Sequence, residues 1–435
     1  MREIQQRVRE FLHAYAMDSS QFDIEENAWR FVDEMRRGLK GEAECSLRMI
    51  PTFFSPTDRI PTGRPIAVLD AGGTNLRAAL VHFSETGEAH VERSSSRRMP
   101  GLDREINAEE LFREIALQVK PCLGSCDTIA FCFSFASIPT PERDGIVDEM
   151  GKQLKVTDIV GQSLANGLNS ALRSIGCNAK RIVVLNDSVS TLLGGALSAG
   201  EIPYGGYIGF ILGTGLNASY VERTGRIGKV AACSIERMIV NTEAGDYNKF
   251  THGVLDEEYD ASLMDTGLWQ FEKMAAGRYQ GGLLRTVINR AIGDGLFPEN
   301  FCRTFRLVKD LNSRAVDEFL GNPNGSGVLA TCCEGAESVD AITLYYLIDE
   351  IMERAAKAAA ACLTALMLQA EIGANPFYPV CITGDGSTFY KSKLFRGKLE
   401  HAMKQCAGDR MGLHYRFNHV PDANLIGSAI AGLTV

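Results

Sequence analysis

One short pattern occurs twice in the sequence: an apolar run ends in a glycine- and threonine-rich turn, and a second apolar run follows. The two copies are LDAGGTNLRAALV at 69–81 and ILGTGLNASYV at 211–221. Each predicts a hairpin of two strands, and its glycines allow the backbone amides of the turn to approach an anion closely. Two such hairpins about 140 residues apart predict two related halves that face one ligand.

The rest of the chain alternates short apolar runs with helical patterns. A helical pattern at 108–123 separates two of the runs, which lie at 66–81, 128–136, 181–187, 207–222 and 380–387. Strands that alternate with helices predict an α/β architecture. The alanine-rich segment 341–371 predicts one or two buried helices, and the proline-rich segment 51–65 predicts a linker after an N-terminal helical region.

Composition excludes several classes of protein. The 435 residues include 45 Lys and Arg against 54 Asp and Glu, a formal net charge of −9, which disfavours a general binder of nucleic acid or anionic membranes. The twelve cysteines form no CxxC pair, so we expect reduced core thiols of a cytoplasmic protein. The charged N-terminus lacks an apolar core, so we expect a surface helix rather than a signal peptide.

Several motifs of known chemistry are missing. The sequence contains no P-loop, no protein-kinase motif set, no GxSxG and no HExxH. The segment GTGLNA at 213–218 matches the loose dinucleotide-binding fingerprint GxGxxA. However, that fingerprint requires a helix after the turn, whereas a strand pattern follows here, so the match does not indicate a dinucleotide site.

The first turn carries groups that suit a phosphate ligand. Asp70 ends a buried strand, Gly72 and Gly73 allow close approach of the backbone, and Thr74 and Asn75 add neutral donors. Asp70 could hold magnesium through water. An ordinary hairpin with Asx-turn chemistry is the alternative for this turn alone. The second turn repeats the device, which favours the phosphate interpretation.

Two further positions lie at strand ends. Asn186 and Asp187 follow the apolar run at 181–185, where α/β sheets place their ligands. Asp187 could accept a proton from a substrate hydroxyl, or it could simply cap the next helix. The turn Asp385–Ser387 opens a helical pattern, which suits a nucleotide phosphate or ribose or, alternatively, a plain helix cap.

Six segments together resemble the hexokinase family in order and spacing, from about residue 60 to the C-terminus: DAGGTNLR, FSFASIP, LNDSVSTL, GTGLNASYVE, NTEAGDY and ITGDGSTFYK. The resemblance implies an α/β fold of the actin-like ATPase superfamily, with two ribonuclease-H-like domains around a sugar and ATP cleft. The expected small domain comprises 66–188 plus 422–435, and the expected large domain 1–65 plus 189–421.

The resemblance also implies the activity: phosphorylation of a hexose by ATP with Mg²⁺ at the 6-hydroxyl, with glucose first and mannose or fructose as alternatives. Asp187 would be the catalytic base, assisted by Lys152. The implied sugar-binding residues are Ser134, Lys152, Asn186, Asp187, Asn217, Glu243 and Glu272. The implied nucleotide-binding residues are Asp70, Gly72, Gly73, Thr74, Asn75, Arg77, Gly213, Thr214, Gly215, Gly384, Asp385 and Ser387. Asp70 would hold the metal through water.

Three positions depart from the family pattern. Ala136 replaces a proline, Gly151 a threonine and Ala244 a tryptophan, so the identity and affinity of the sugar are less determined than the reaction. A non-catalytic sugar or nucleotide sensor is one alternative, and the presence of Asp187 argues against it. A filament- or chaperone-type ATPase is another, and it would not need Glu243. The expected partner is a hexose, without nucleic acid or membrane, in a monomer or homodimer.

Overall fold

The computed structural model describes residues 1–56, 61–124, 126–150, 154–198, 202–231 and 233–434. Two predicted positions of the sugar loop, Gly151 and Lys152, lie outside the described residues. The strands are, in chain order, β1 Ile50–Pro51, β2 Ile66–Ala71, β3 Asn75–Phe83, β4 Ala89–Arg98, β5 Ile106–Asn107, β6 Thr128–Phe133, β7 Ser137–Pro139, β8 Gly145–Val147, β9 Val156–Thr157, β10 Arg181–Leu185, β11 Gly206–Leu212, β12 Leu216–Arg223, β13 Arg237–Asn241, β14 Val380–Asp385 and β15 Tyr415–Asn418.

The α-helices lie mainly before the first strand and between β13 and β14. They are α1 Arg2–Ala14, α2 Ile24–Lys40, α3 Ala108–Val119, α4 Leu164–Ser174, α5 Asp187–Leu197, α6 Val254–Ala261, α7 Gln270–Ala275, α8 Gly277–Gly293, α9 Glu299–Phe305, α10 Ser313–Gly321, α11 Val339–Ala370, α12 Ser387–Lys391, α13 Phe395–Met403 and α14 Ala423–Leu433. Within the described ranges, no helix is long and apolar enough to cross a membrane.

The two sheets have the same strand topology. The first has the order β4-β3-β2-β6-β10 and the second the order β13-β12-β11-β14-β15, with β1 added at the edge of β13. In each, three antiparallel strands are followed by two parallel ones. The predicted hairpins are β2–β3 and β11–β12, so the two halves are related in topology. The strands of each sheet fall within one predicted domain, while the domain bounds themselves stay a prediction.

Two helices pack against each other between the sheets. A Cβ on Gly427 of α14 would lie 1.7 Å from the carbonyl oxygen of Ser190 in α5. A Cβ on Gly194 of α5 would lie 2.6 Å from the carbonyl oxygen of Ala423. Only glycine permits this approach of two backbones. The glycines of these helices therefore let α14 pack closely against α5.

The alanine-rich segment forms one helix, α11, of 32 residues. Ser338 caps its start by accepting a hydrogen bond from the amide of Ala341 at 3.3 Å. The alanines at 355–361 are fully buried, because their small side chains let neighbouring helices approach on several sides. This helix belongs to the larger apolar core, which also contains the second sheet.

Candidate active site

A cavity of about 460 Å³ lies between the two sheets and is lined by the turns and strand ends of both. This volume is within the range of sites for small ligands. The lining includes the predicted residues Asp70, Gly72, Gly73, Thr74, Asn75, Arg77, Ser134, Asn186, Asp187, Gly213, Thr214, Gly215, Asn217, Glu243, Glu272, Asp385 and Ser387. Groups separated by up to about 300 residues in sequence are thus brought to one concave surface.

Each glycine-rich turn is closed by a backbone hydrogen bond. The Gly72 amide donates to the carbonyl oxygen of Asn75 at 3.0 Å, and the Gly213 amide donates to that of Gly215 at 2.9 Å. A Cβ on Gly215 would lie 2.7 Å from a carboxylate oxygen of Glu272, so a larger residue there would displace that side chain. A smaller cavity of about 190 Å³ continues between the turns. The turns therefore flank a space open to an extended ligand.

The third turn depends on a glycine in an unusual conformation. Gly386 has φ 113°, and a Cβ there would lie 2.3 Å from the carbonyl oxygen of Leu212. Gly386 lines the cavity between Asp385 and Ser387, although it was not among the predicted site residues. Gly384, which was predicted, is not part of the described lining, because it lies within β14 against the ring of Phe389.

Asn186 and Asp187 stand where β10 meets α5. Asn186 is the cap of α5, and its Oδ1 accepts the Ser188 amide at 2.9 Å. Asp187 is the first residue of the helix, and its Oδ1 accepts the same amide at 2.9 Å. The positive end of a helix stabilises the ionised carboxylate. The capping interpretation and the site interpretation therefore both hold, since these side chains cap the helix and line the cavity.

A chain of side-chain amides joins three strand ends. Asn217 Nδ2 donates to Asn186 Oδ1 at 3.3 Å and to Asn241 Oδ1 at 2.9 Å. Asn241 Nδ2 in turn donates to Glu243 Oε1 at 2.7 Å. Because each amide both donates and accepts, the chain fixes the orientation of all four side chains. Asn241 was not predicted, although its place in NTEAGDY was the available signal.

Glu243 and Glu272 approach the cavity from separate elements. Glu243 follows β13 in the left-handed region, with φ 53°. Glu272 lies on α7, is 9% exposed, and accepts the Leu216 amide at 2.9 Å. Both carboxylates are thus held in place at the cavity by hydrogen bonds from the protein.

Asp246 is a site residue that the sequence analysis missed. It ends a one-turn helix at 244–246 and lines the cavity. Burial, followed by the charge of Glu243, raises the pKa of Asp246 to about 7, while Arg48 opposes this shift and Glu272 adds to it. Its place in the NTEAGDY motif, residues 241–247, was the available signal for this residue too. Further missed lining residues are Phe135, Glu149, Gly245, Trp269 and Asn424.

Arg77 is engaged at the edge of the cavity. Its Nη2 donates to Asp70 Oδ2 at 2.6 Å, and its Nη1 donates to Asp422 Oδ1 at 3.1 Å. The positive charge of Arg77 is therefore paired with carboxylates of the protein. Among the described residues, no group of three or more His, Cys, Asp or Glu side chains could hold a metal ion. A metal at Asp70 would need oxygen ligands from substrate and water.

The family follows from comparison with known proteins. Two family models, both described as hexokinase, match residues 7–197 and 207–434. The chain belongs to the hexokinase family. It is a hexokinase-type sugar kinase, and the predicted family and enzyme class are thereby confirmed. Hexose phosphorylation in general is the activity of this family.

Individual hexokinases match along nearly the whole chain. Hexokinase-1 of Nicotiana tabacum is 27% identical over 433 residues, covering 91% of this chain and 84% of the relative. Hexokinase-1 of Schizosaccharomyces pombe is 28% identical over 426 residues, covering 92% of this chain and 85% of the relative. The chain is therefore similar to hexokinases from a plant and a yeast.

Solved structures confirm the fold. The hexokinase from Schistosoma mansoni complexed with glucose superposes with a TM-score of 0.80 at 21% identity, covering 99% of both chains. A ROK-family glucokinase from Streptomyces griseus in complex with glucose and AMPPNP gives a TM-score of 0.53 at 16% identity, covering 86% of this chain and 100% of that one. The two-domain α/β fold predicted from the sequence is thus confirmed.

Proposed function

We propose that this hexokinase transfers the γ-phosphoryl group of ATP to the 6-hydroxyl of a hexose, with Asp187 as the general base. The observation that carries the proposal is the position of Asp187 in one cavity with both glycine-rich turns. A phosphoryl acceptor and a phosphate donor bound there would meet at this carboxylate. Glucose is the proposed substrate, with mannose and fructose as alternatives.

The role of Asp187 is to remove one proton. As the 6-oxygen bonds to the γ-phosphorus, the bond from that phosphorus to the bridging oxygen breaks and ADP leaves. The O–H bond of the 6-hydroxyl breaks as well, and its proton passes to a carboxylate oxygen of Asp187. Oδ1 accepts the Ser188 amide at 2.9 Å, which fixes the orientation of the carboxylate. A positioned base of this kind contributes about 10²- to 10⁴-fold in rate.

Sugar recognition would use the hydrogen-bonded side chains of the strand ends. Asn217 is buried and fixed by the amide chain, and Glu272 is fixed by the Leu216 amide. Together with Ser134, Asn186 and Glu243, these groups offer both donors and acceptors, as a polyhydroxy ligand requires. The relative complexed with glucose, the hexokinase from Schistosoma mansoni, supports glucose as the first substrate to test.

The nucleotide phosphates fit the glycine-rich turns. A Cβ at Gly386 would lie 2.3 Å from the carbonyl oxygen of Leu212, so glycine there keeps the backbone of the third turn against the end of β11. Magnesium is normally held by one or two carboxylates and the substrate phosphates, and Asp70 and Asp385 line the cavity to serve in this way. When bound, magnesium supplies positive charge that offsets charge on the transferred phosphoryl group.

The remaining assignments complete the proposal. Lys152 would add positive charge and orient the sugar, as the family resemblance implies. The domains 66–188 with 422–435 and 1–65 with 189–421 would close around the substrates and exclude water. A cytoplasmic location and a monomeric or homodimeric state belong to the same proposal.

The test is ADP release from ATP and magnesium with glucose, mannose, fructose, glucosamine and N-acetylglucosamine. Asp187→Asn keeps an oxygen that can accept the Ser188 amide but removes the base. We expect hexose-dependent turnover that falls about 10²- to 10⁴-fold in the variant.

Three results would contradict the proposal in different ways. Turnover retained in Asp187→Asn would remove Asp187 as the base. ATP hydrolysis independent of sugar would favour a filament- or chaperone-type ATPase. Sugar binding without turnover would favour a sensor. Binding is measurable through Trp269, which lines the cavity, after replacement of Trp29, the other tryptophan of the chain.

A further inference from the structure

The segment 48–54 is hydrogen-bonded to the second sheet beside the cavity. The amide of Met49 donates to the carbonyl oxygen of Thr242 at 3.3 Å. Ile50 pairs with Asn241 in the antiparallel ladder of β1 and β13. Glu243 lies two residues after Asn241. The segment 48–54 is therefore bonded to the strand that leads to the sugar side of the cavity, which is the side lined by Asn217, Glu243 and Glu272.

An ion pair joins this segment to the other half of the protein. The guanidinium of Arg48 contacts the carboxylate of Asp148, which directly follows β8. The amide of Asp148 donates to the carbonyl oxygen of Ala136 at 3.0 Å. Ala136 lines the cavity, and so does Glu149, the residue after Asp148. The ion pair therefore connects the second sheet to the loop that forms the opposite wall.

A second contact follows the same path. Arg143 Nε donates to the carbonyl oxygen of Phe53 at 3.1 Å, and its guanidinium lies 5.3 Å from the ring centre of Phe54. Two arginines thus join the segment 48–54 to residues 143–148. The Arg48 side chain is 32% exposed and the Asp148 side chain 35%, so water screens this pair only in part.

Arg48 also faces the acidic side of the cavity. Burial lowers the pKa of Arg48, but Asp148 outweighs it and raises the pKa overall, with smaller contributions from Glu243 and Asp246. The same arginine opposes the rise in the pKa of Asp246. Arg48 is not part of the described cavity lining, so its effect on a ligand would be exerted through these neighbours.

We propose that Arg48 is a positioning residue for the hexose, because through Asp148 it holds the loop bearing Glu149 against the sugar side of the cavity. The inference rests on the proposed function, in which that side binds the sugar. Arg48 then affects the binding of the hexose more than the transfer step.

The test compares Arg48→Ala with the unchanged protein in a Trp29→Phe background, where Trp269 reports hexose binding. We expect the KM for the hexose, and the Kd from fluorescence, to rise about two- to fivefold, as for a partly exposed ion pair. The kcat should change by less than about twofold. Arg48→Lys should raise the Kd less than Arg48→Ala does. The exchange variant, Arg48→Asp with Asp148→Arg, should bind the hexose more tightly than Arg48→Asp or Asp148→Arg alone.

Arg97→Ala is the matched control. Arg97 pairs with Glu114 at 2.6 Å, and the two side chains are 34% and 33% exposed, but neither is in the described lining of the cavity. An unchanged KM and Kd in Arg48→Ala, an equal rise in Arg97→Ala, or no recovery in the exchange variant would each overturn the inference. If the unchanged protein binds hexose but phosphorylates none, the proposed function fails, while the Kd comparison still decides the role of Arg48.

Discussion

At the scale of single residues, Asp246 is a cavity residue whose carboxyl has a strongly raised pKa. It lines the cavity together with Glu243 and Glu272, on the side where neutral sugar hydroxyls are proposed to bind. Burial and these negative neighbours raise its pKa to about 7. The protein therefore keeps a carboxylate that binds a proton more readily when folded than when unfolded, and this couples stability to pH.

The first prediction concerns the stability of Asp246→Asn. Below about pH 3 the carboxyl is protonated in both states. As the pH rises towards 7 the unfolded state loses the proton first, so the unchanged protein loses stability. Through Asp246, the free energy of unfolding of the unchanged protein should fall by about 2–4 kcal/mol between pH 4 and pH 8. We expect Asp246→Asn to lack this fall. Urea unfolding at several pH values measures it.

Asp127→Asn serves as the control for this pH effect, because Asp127 is exposed. Parallel stability curves for Asp246→Asn and the unchanged protein across the pH range would show that Asp246 does not carry the coupling. The same comparison in saturating hexose reports whether the ligand contacts this carboxylate, because binding would then change the pH midpoint.

At the scale of the elements, the pairing of α5 with α14 decides how the halves are joined. These helices come from positions more than 200 residues apart, and they meet through Gly194 and Gly427. Ser190 Oγ and Ser428 Oγ lie 3.0 Å apart in the same contact. Since Asp187 is the first residue of α5, the packing of this helix also sets the position of the proposed base.

The second prediction is that Gly427→Ala destabilises the protein strongly. The added Cβ would lie 1.7 Å from a backbone oxygen of α5, so the helices must separate at a cost of about 1–3 kcal/mol or more. Activity should fall as well, because α5 carries Asp187. Thermal unfolding and hexose-dependent turnover measure the two effects.

Gly397→Ala in α13 is the matched control, since a Cβ there meets no atom within 4 Å. We expect it to stabilise the protein by about 0.5–1 kcal/mol, the ordinary gain of alanine over glycine in a helix. Equal melting temperatures for Gly427→Ala and Gly397→Ala would show that the contact between α5 and α14 tolerates a side chain.

At the scale of the whole molecule, the ligand cavity exists only because two sheets of the same strand topology face each other. Asp187 comes from the first half and Glu272 from the second, and they line one cavity. A ligand that contacts both halves is bound by the folded protein alone, so binding should stabilise the two halves together.

The third prediction is that glucose stabilises the protein as a whole. At 100 times its Kd, glucose should add about 2.7 kcal/mol to the free energy of unfolding. Calorimetric unfolding with and without the sugar measures this gain. The gain should persist in Asp187→Asn, which loses the base but keeps the fold. A gain confined to one of two separate unfolding transitions would argue against a ligand shared by both halves.

Much of the fold and part of the site could be predicted from consecutive residues. The hairpins at 69–81 and 211–221 follow from apolar runs and glycine-rich turns, and the strand after Gly215 correctly excluded a dinucleotide fingerprint. The order of the six motifs indicated the family. The single length of α11 was not predicted, because an alanine-rich pattern does not distinguish one buried helix from two.

Neighbouring residues are sufficient to predict the local features: which positions turn, which end strands, and which carboxylates follow those ends. The packing of distant elements brings Arg48 to Asp148, places Gly386 rather than Gly384 in the cavity lining, and buries Asp246 so that its pKa is raised. A local pattern does not predict these features, because burial and charge depend on which elements fold against each other.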